Sequence, residues 1–178
     1  MLWKIVLALG ALIIVLLVVV AMQPAEFRIE RSTKIVAQPA DIFAQVNDFH
    51  NWPAWSPWEK LDPDMKRSYS GPVAGPGSVY EWSGNDKARQ GRMTITDSRR
   101  GDLVQIKLDF IKPFESTATV EFAFKPEGGG TNVNWSMTGH NNFMAKGAGL
   151  FMNIDKMVGG DFEKGLAQLK TTVEAAKK

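Results

Sequence analysis

Asn51-Trp52-Pro53-Ala54-Trp55-Ser56-Pro57-Trp58 places three of the chain's six tryptophans within seven residues, three apart, with two prolines between them. An indole buries a large apolar area and still needs a partner for its N–H. Proline fixes φ and removes a backbone donor. The segment is therefore stiff and kinked, and it commits much apolar surface to one place. Exposed, such rings would stack on sugars or bases. Buried, they would lock a small fold. No cluster of carbohydrate-type polar residues surrounds them, so burial is the expected state, with an edge of Trp55 or Trp58 left to line a cavity mouth.

The segments on either side give the lock something to close. Before it, Phe27 to Val36 alternates, with Phe27, Ile29, Thr33 and Ile35 on one face and Arg28, Glu30, Ser32 and Lys34 on the other. That is a strand with one buried side. Gln38-Pro39-Ala40-Asp41 then opens a short helix whose inner stripe is Ile42, Phe43 and Val46. After the tryptophans, strand patterns recur at Lys66–Ser70, Ser78–Ser83, Gln90–Asp97, Leu103–Ile111, Ser116–Lys125 and Thr131–Thr138. Glycine, proline, asparagine and aspartate separate them, which predicts an antiparallel meander with one wet face.

The carboxyl end changes period. From Phe143 to Ala175 apolar residues recur at spacings of three and four, including Phe151, Ile154, Met157, Phe162, Leu166, Leu169 and Val173. Gly159-Gly160 is expected to kink or split this helix, with Asp161 capping its second half. Lys177 and Lys178 suit its C-terminus. A curved sheet needs an apolar element on its concave face, and this helix is the only long one available. The expected fold is α+β: a curved antiparallel sheet of about seven strands around a long C-terminal helix, with two short helices after the first strand.

Ahead of that domain, Ile5 to Met22 carries no charge and no strong polar group. With Trp3 before it and Lys4 able to snorkel, it can span a hydrocarbon core of roughly 30 Å. A cleaved signal peptide is the alternative, but its apolar core is about 7–15 residues and ends at a small-x-small site, and Val20-Ala21-Met22 is a poor one. Residues 1–24 are read as an uncleaved single-pass anchor, with residues 2–22 in the membrane and residues 25–178 as the domain. Lys4 lies before the span, whereas Arg28, Arg31 and Lys34 belong to a folded domain and weigh little in the positive-inside count. The domain is thus expected on the far, periplasmic side of an inner membrane.

Composition excludes several chemistries. The net charge of +2, with no dense basic run, gives no nucleic-acid footprint. The absence of cysteine removes disulfides, thiolate catalysis and Cys-based metal sites. His50 and His140 are the only histidines, and no HExxH or carboxylate cluster has metal-ligand spacing. No metal, no cofactor and no catalytic residue is assigned.

The chain resembles the SRPBCC superfamily, also called START-like, Bet v 1-like or helix-grip, and within it the bacterial polyketide cyclase/dehydrase and lipid-transport-like group. Five segments carry the resemblance. They are Arg31-Ser32 with Ile35-Val36-Ala37-Gln38-Pro39; Asn51 to Trp58 followed by Asp62-Pro63; Gly75-Pro76-Gly77 before Tyr80-Glu81-Trp82; Gly91-Arg92-Met93; and Asp161-Phe162-Glu163-Lys164-Gly165-Leu166. The resemblance spans roughly Phe27 to Lys177. It implies a bacterial protein that binds a hydrophobic small molecule or lipid between sheet and helix. A cyclase- or dehydratase-like enzyme is the second reading, and an interaction domain with a solid core the third.

The candidate ligand-binding residues are Arg31, Trp55, Trp58, Trp82, Met93, Leu108, Phe110, Phe122, Trp135, Met137, Phe151 and Met157. The apolar members are also the residues any core would use. Arg31 is the exception, because alternation turns its charge towards the interior. A buried guanidinium must be paired, either with a ligand carboxylate or phosphate or with a nearby Asp or Glu. An enzyme would need a polar pair in the cavity, and Arg31, Glu81 and His50 are the candidates.

Overall fold

The computed structural model describes residues 2–112 and 115–176. Lys177 and Lys178 lie outside the described residues. An apolar helix, α1 (Leu2–Met22), leads through three residues into strand β1 (Glu26–Ile35). Helix α2 (Pro39–Val46) and two 3-10 turns (Phe49–Ala54 and Pro57–Lys60) follow. Then come β2 (Lys66–Ser70), β3 (Val79–Ser83), β4 (Gln90–Arg99), β5 (Leu103–Lys112), β6 (Ser116–Glu127) and β7 (Gly130–His140). Helices α3 (Phe143–Gly149) and α4 (Ile154–Ala175) end the chain.

The seven strands form one antiparallel sheet in the order β1-β7-β6-β5-β4-β3-β2. The meander is as the alternation predicted, and β1 joins its far side by pairing with the last strand, Glu26 opposite His140 through Ile35 opposite Thr131. The inward residues Ile29, Ile35, Ile95, Val104, Ile106, Val120, Phe122, Phe124 and Val133 are buried with Phe162, Leu166, Leu169 and Val173 of α4. Helix α2 contributes the expected stripe, Ile42, Phe43 and Val46.

The tryptophan segment is packed, and the packing has a polar logic. A helix leaves its last four carbonyls without intrahelical partners. In α2, Phe43 O accepts from the backbone N–H of Asn47, and Ala44 O from Asn51 Nδ2 at 3.1 Å. Gln45 O accepts from Trp55 Nε1 at 3.3 Å and Val46 O from Trp52 Nε1 at 3.0 Å. Asn51, Trp52 and Trp55 thus close the end of α2 while the two indole rings enter the core. Trp55 meets Trp135 edge-on at 5.7 Å, and Trp135 stacks on Phe162 of α4 at 4.2 Å.

The C-terminal helix corrects one expectation. Its break lies at residues 150–153, and α4 runs unbroken through Gly159-Gly160. Asn153 caps α4, its Oδ1 accepting from Lys156 N at 2.8 Å, whereas Asp161 pairs with Lys164. A glycine in a helix interior is less favourable than alanine by about 1 kcal/mol. Position 159 is tight for another reason: a Cβ there would overlap the Arg31 guanidinium, which would have to move aside. The glycine makes room for an ion pair rather than bending the helix.

Candidate functional site

Between the concave face of the sheet, the second 3-10 turn and the first half of α4 lies a cavity of about 360 Å³. Each wall comes from a different element. Strand β3 presents Tyr80 and Trp82, two residues apart and so on one face. Met93, Leu108, Phe110, Val120, Trp135 and Met137 extend this wall along β4 to β7, and Met157, Val158 and Phe162 of α4 face it. Trp82 can lie flat here because its neighbour on β4 is Gly91, where any Cβ would run into the indole. Its N–H donates to Ala88 O at 2.9 Å in the β3–β4 turn.

One part of the wall is polar and buried. Glu59, in the second 3-10 turn, is only 8% exposed. The Tyr80 hydroxyl donates to Glu59 Oε1 at 2.5 Å, and Arg67 Nε donates to Glu59 Oε2 at 2.7 Å. Arg67 also donates to the backbone carbonyls of Glu59 and Met65. A buried carboxylate is tolerated only when paired and hydrogen-bonded, and Glu59 is both. Burial, followed by the hydrogen bond to Glu59, pushes the Tyr80 phenol far above its ordinary value. The Glu59 hydrogen bond raises Arg67 in turn. Glu59 and Tyr80 both line the cavity. Stacked rings continue outward from Tyr80 to Tyr69 and His50, with centroids 5.2 Å and 4.2 Å apart. Trp135 also lines the cavity, and its buried indole N–H has no hydrogen-bond partner among the described residues.

Eight of the twelve candidate residues meet at this cavity: Trp58, Trp82, Met93, Leu108, Phe110, Trp135, Met137 and Met157. Four do not. Trp55 and Phe122 are fully buried behind the wall, packed on each other at 6.0 Å and on Trp135. Phe151 sits in the α3–α4 link and is 82% exposed. Arg31 points inward as the alternation required, but its partners belong to α4: Asp155 at 3.0 Å and Glu163 at 2.8 Å. These hydrogen bonds raise Arg31 further and hold Asp155 below the usual carboxylate range.

The enzyme candidates disperse as well. Glu81 pairs with Arg92, and His50 pairs with Asp48 at 2.8 Å, both away from the cavity. The polar pair at the cavity is Glu59 with Tyr80. Sequence reasoning missed it because Glu59 follows a tryptophan in a turn and reads as a solvated charge. Tyr80 carried the only signal, as an inward position on an alternating strand. Among the described residues no three carboxylate or imidazole groups converge to hold a metal ion.

A family model for polyketide cyclase / dehydrase and lipid transport matches residues 26–174. The chain belongs to this family. Membership in the polyketide cyclase / dehydrase and lipid transport family places it in the SRPBCC superfamily. Solved structures agree on the fold. MLL2253 from Mesorhizobium loti superposes with a TM-score of 0.62 at 10% identity, covering 84% of this chain and 98% of that one. The Aha1 dimer from Colwellia psychrerythraea gives 0.60 at 15%, covering 85% and 99%. Ms6760 from Mycobacterium smegmatis gives 0.59 at 18%, covering 84% and 92%. At these identities the likeness concerns the fold alone. No curated protein matches the sequence. The family's fold is consistent with binding of hydrophobic ligands, and this chain adds one N-terminal helix long and apolar enough to cross a membrane.

Proposed function

We propose that this protein is a membrane-anchored helix-grip domain that binds a hydrophobic small molecule or lipid in the cavity between the sheet and α4. The observation that carries the reading is the cavity itself. Ligand sites run to roughly 300–1,000 Å³, mostly apolar with a few placed polar groups. A cavity of about 360 Å³ walled by Trp82, Met93, Leu108 and Phe110, with Glu59 and Tyr80 as its polar part, has that character. It also counts against a solid interior. Residues 1–24 serve as a single-pass anchor, and residues 25–178 form the domain on the periplasmic side of a bacterial inner membrane.

The test is native mass spectrometry of the detergent-extracted full chain, with lipid extraction of what copurifies. A bound apolar species that disappears in Leu108→Trp, which fills the cavity, supports the reading. An unliganded wild type that also fails to take up added lipid overturns it. A cyclase- or dehydratase-like enzyme is the second reading, favoured by the buried Glu59–Tyr80 pair. It predicts a copurified species altered chemically by wild type and left intact by Tyr80→Phe.

A further inference from the structure

Helix α3, the α3–α4 link and the start of α4 leave large apolar side chains uncovered. Phe143, Met144, Phe151, Met152 and Met157 are all at least half exposed. Exposed apolar patches of this kind mark a protein or membrane contact. Two observations decide which.

The first is what α3 touches. Val20 of α1 is buried, and Gly147 of α3 lies against it. Lys146 Nζ donates to Ala21 O at 3.3 Å, satisfying a terminal carbonyl of α1. Both contacts fall on the last turn of the apolar helix, before it ends at Met22. Past that point only Gln23, Pro24 and Ala25 precede β1, a tether of at most about 10 Å. Asn141 fixes even this, its N–H donating to Ala25 O at 2.7 Å. The polar layer on each side of a bilayer is roughly 5–7 Å deep. With α1 across the membrane, α3 has no room to stand clear of it.

The second is where the cavity opens. The antiparallel order puts the start of β1, the end of β7 and the β3–β4 turn at one end of the sheet. The exposed residues of the cavity rim are there: Lys87 and Arg89 in the β3–β4 turn, Met157 near the start of α4, and Leu61. Lys87 and Arg89 have no ion-pair partner among the described residues, and basic side chains at a membrane surface favour anionic lipid.

We infer that the α3–α4 face is seated in the headgroup layer of the bilayer that α1 spans, so that the cavity mouth opens onto lipid rather than onto water. Phe143, Met144, Phe151 and Met152 enter the upper acyl region in the manner of an interfacial helix. Lys87 and Arg89 sit beside the mouth at headgroup level. The inference rests on the anchor reading above, and it gives the ligand a source: a molecule dissolved in, or forming part of, that leaflet.

The chain has no cysteine, so single-cysteine variants of the full chain can be labelled cleanly. Leu12→Cys, Met144→Cys, Phe151→Cys, Met157→Cys and Val73→Cys are labelled with an environment-sensitive fluorophore. Each is reconstituted in phosphatidylcholine–phosphatidylglycerol vesicles, with and without spin-labelled lipid. Val73 is exposed in the β2–β3 connection, at the opposite end of the sheet. The expected result is loss of most fluorescence at Leu12, Met144 and Phe151, partial loss at Met157, and none at Val73. Quenching at Leu12 with Phe151 no more quenched than Val73 overturns the seated face and leaves the anchor standing. No quenching at Leu12 overturns the anchor itself. Quenching at Phe151 but not at Met157 refutes the lipid-facing mouth.

Discussion

Replacing Glu59 by leucine removes the acceptor on which two other groups depend. The Tyr80 hydroxyl, buried and 2.5 Å from Glu59 Oε1, loses the one hydrogen-bond partner it has among the described residues. Arg67 loses a charge-assisted bond of 2.7 Å but keeps its carbonyl contacts, and 28% of its side chain is exposed. A buried hydroxyl left unpaired costs about 1–3 kcal/mol, and a bond to a charged group contributes about 1.5–3 kcal/mol. Breaking a buried ion pair from one side costs about 3–5 kcal/mol. Because Arg67 reaches water, the lower end applies, about 3 kcal/mol. In a domain of this size that lowers the melting temperature by roughly 10 °C. Tyr80→Phe leaves the Glu59–Arg67 pair intact but removes one bond to a charged group, so it should cost about 1.5–3 kcal/mol and no more than Glu59→Leu. The assay is thermal unfolding of the full chain in detergent, followed by near-ultraviolet circular dichroism of the packed tryptophans. Glu59→Leu melting with the wild type, or Tyr80→Phe proving the more damaging of the two, would refute the account of this cluster.

Three further outcomes are expected. The chain has two tyrosines, Tyr69 and Tyr80, and both phenols are raised, chiefly by burial. The folded state therefore holds protons that the unfolded chain releases near pH 10, so stability is full below about pH 10 and falls above it. Phenolate absorbance should rise together with unfolding in an alkaline titration; a rise near pH 10 with the fold intact would contradict this. Arg31→Met removes two ion pairs whose carboxylates are exposed, so it should cost little stability, with a deficit that shrinks in high salt, and leave ligand uptake unchanged. Reduced uptake at normal stability would restore Arg31 as a ligand contact. Finally, Gly159→Ala should displace the Arg31 guanidinium. In a double-mutant cycle with Arg31→Met the two should be non-additive, and additive effects would show that the glycine is not there for the arginine.

The frame was legible because burial imposes period on sequence. Val104, Ile106, Leu108 and Phe110 alternate with Gln105, Lys107 and Asp109, and this sets both the strand and its inner face. Ile42, Phe43 and Val46 gave α2 in the same way. The burial of Trp52 and Trp55 could be read from the prolines that stiffen them, but their role at the end of α2 could not. That role depends on carbonyls that only a folded helix presents. The position of the helix break was misread for a related reason. Gly159-Gly160 is a breaker by local propensity, yet its reason for being there is an arginine on a strand far away in sequence. The Glu59–Tyr80 pair joins a turn to a strand across 21 residues, and no period encodes such a meeting. Phe151 shows the converse. It lies on the apolar stripe of the pattern, but the chain leaves the helix at residues 150–153 and carries it outward.

The pairing of β1 with β7 also sets a schedule for synthesis. The first strand leaves the ribosome directly behind α1, but every one of its partners, from His140 back to Thr131, is made after β2 to β6. At about 5–20 residues per second, β1 waits for roughly ten seconds while β2 to β6 pair locally. During that time an alternating strand with open edges is exposed, the kind of segment that invites association with a neighbour. Three residues tether it to α1, so it stays beside that helix until its own β7 arrives last and closes the sheet.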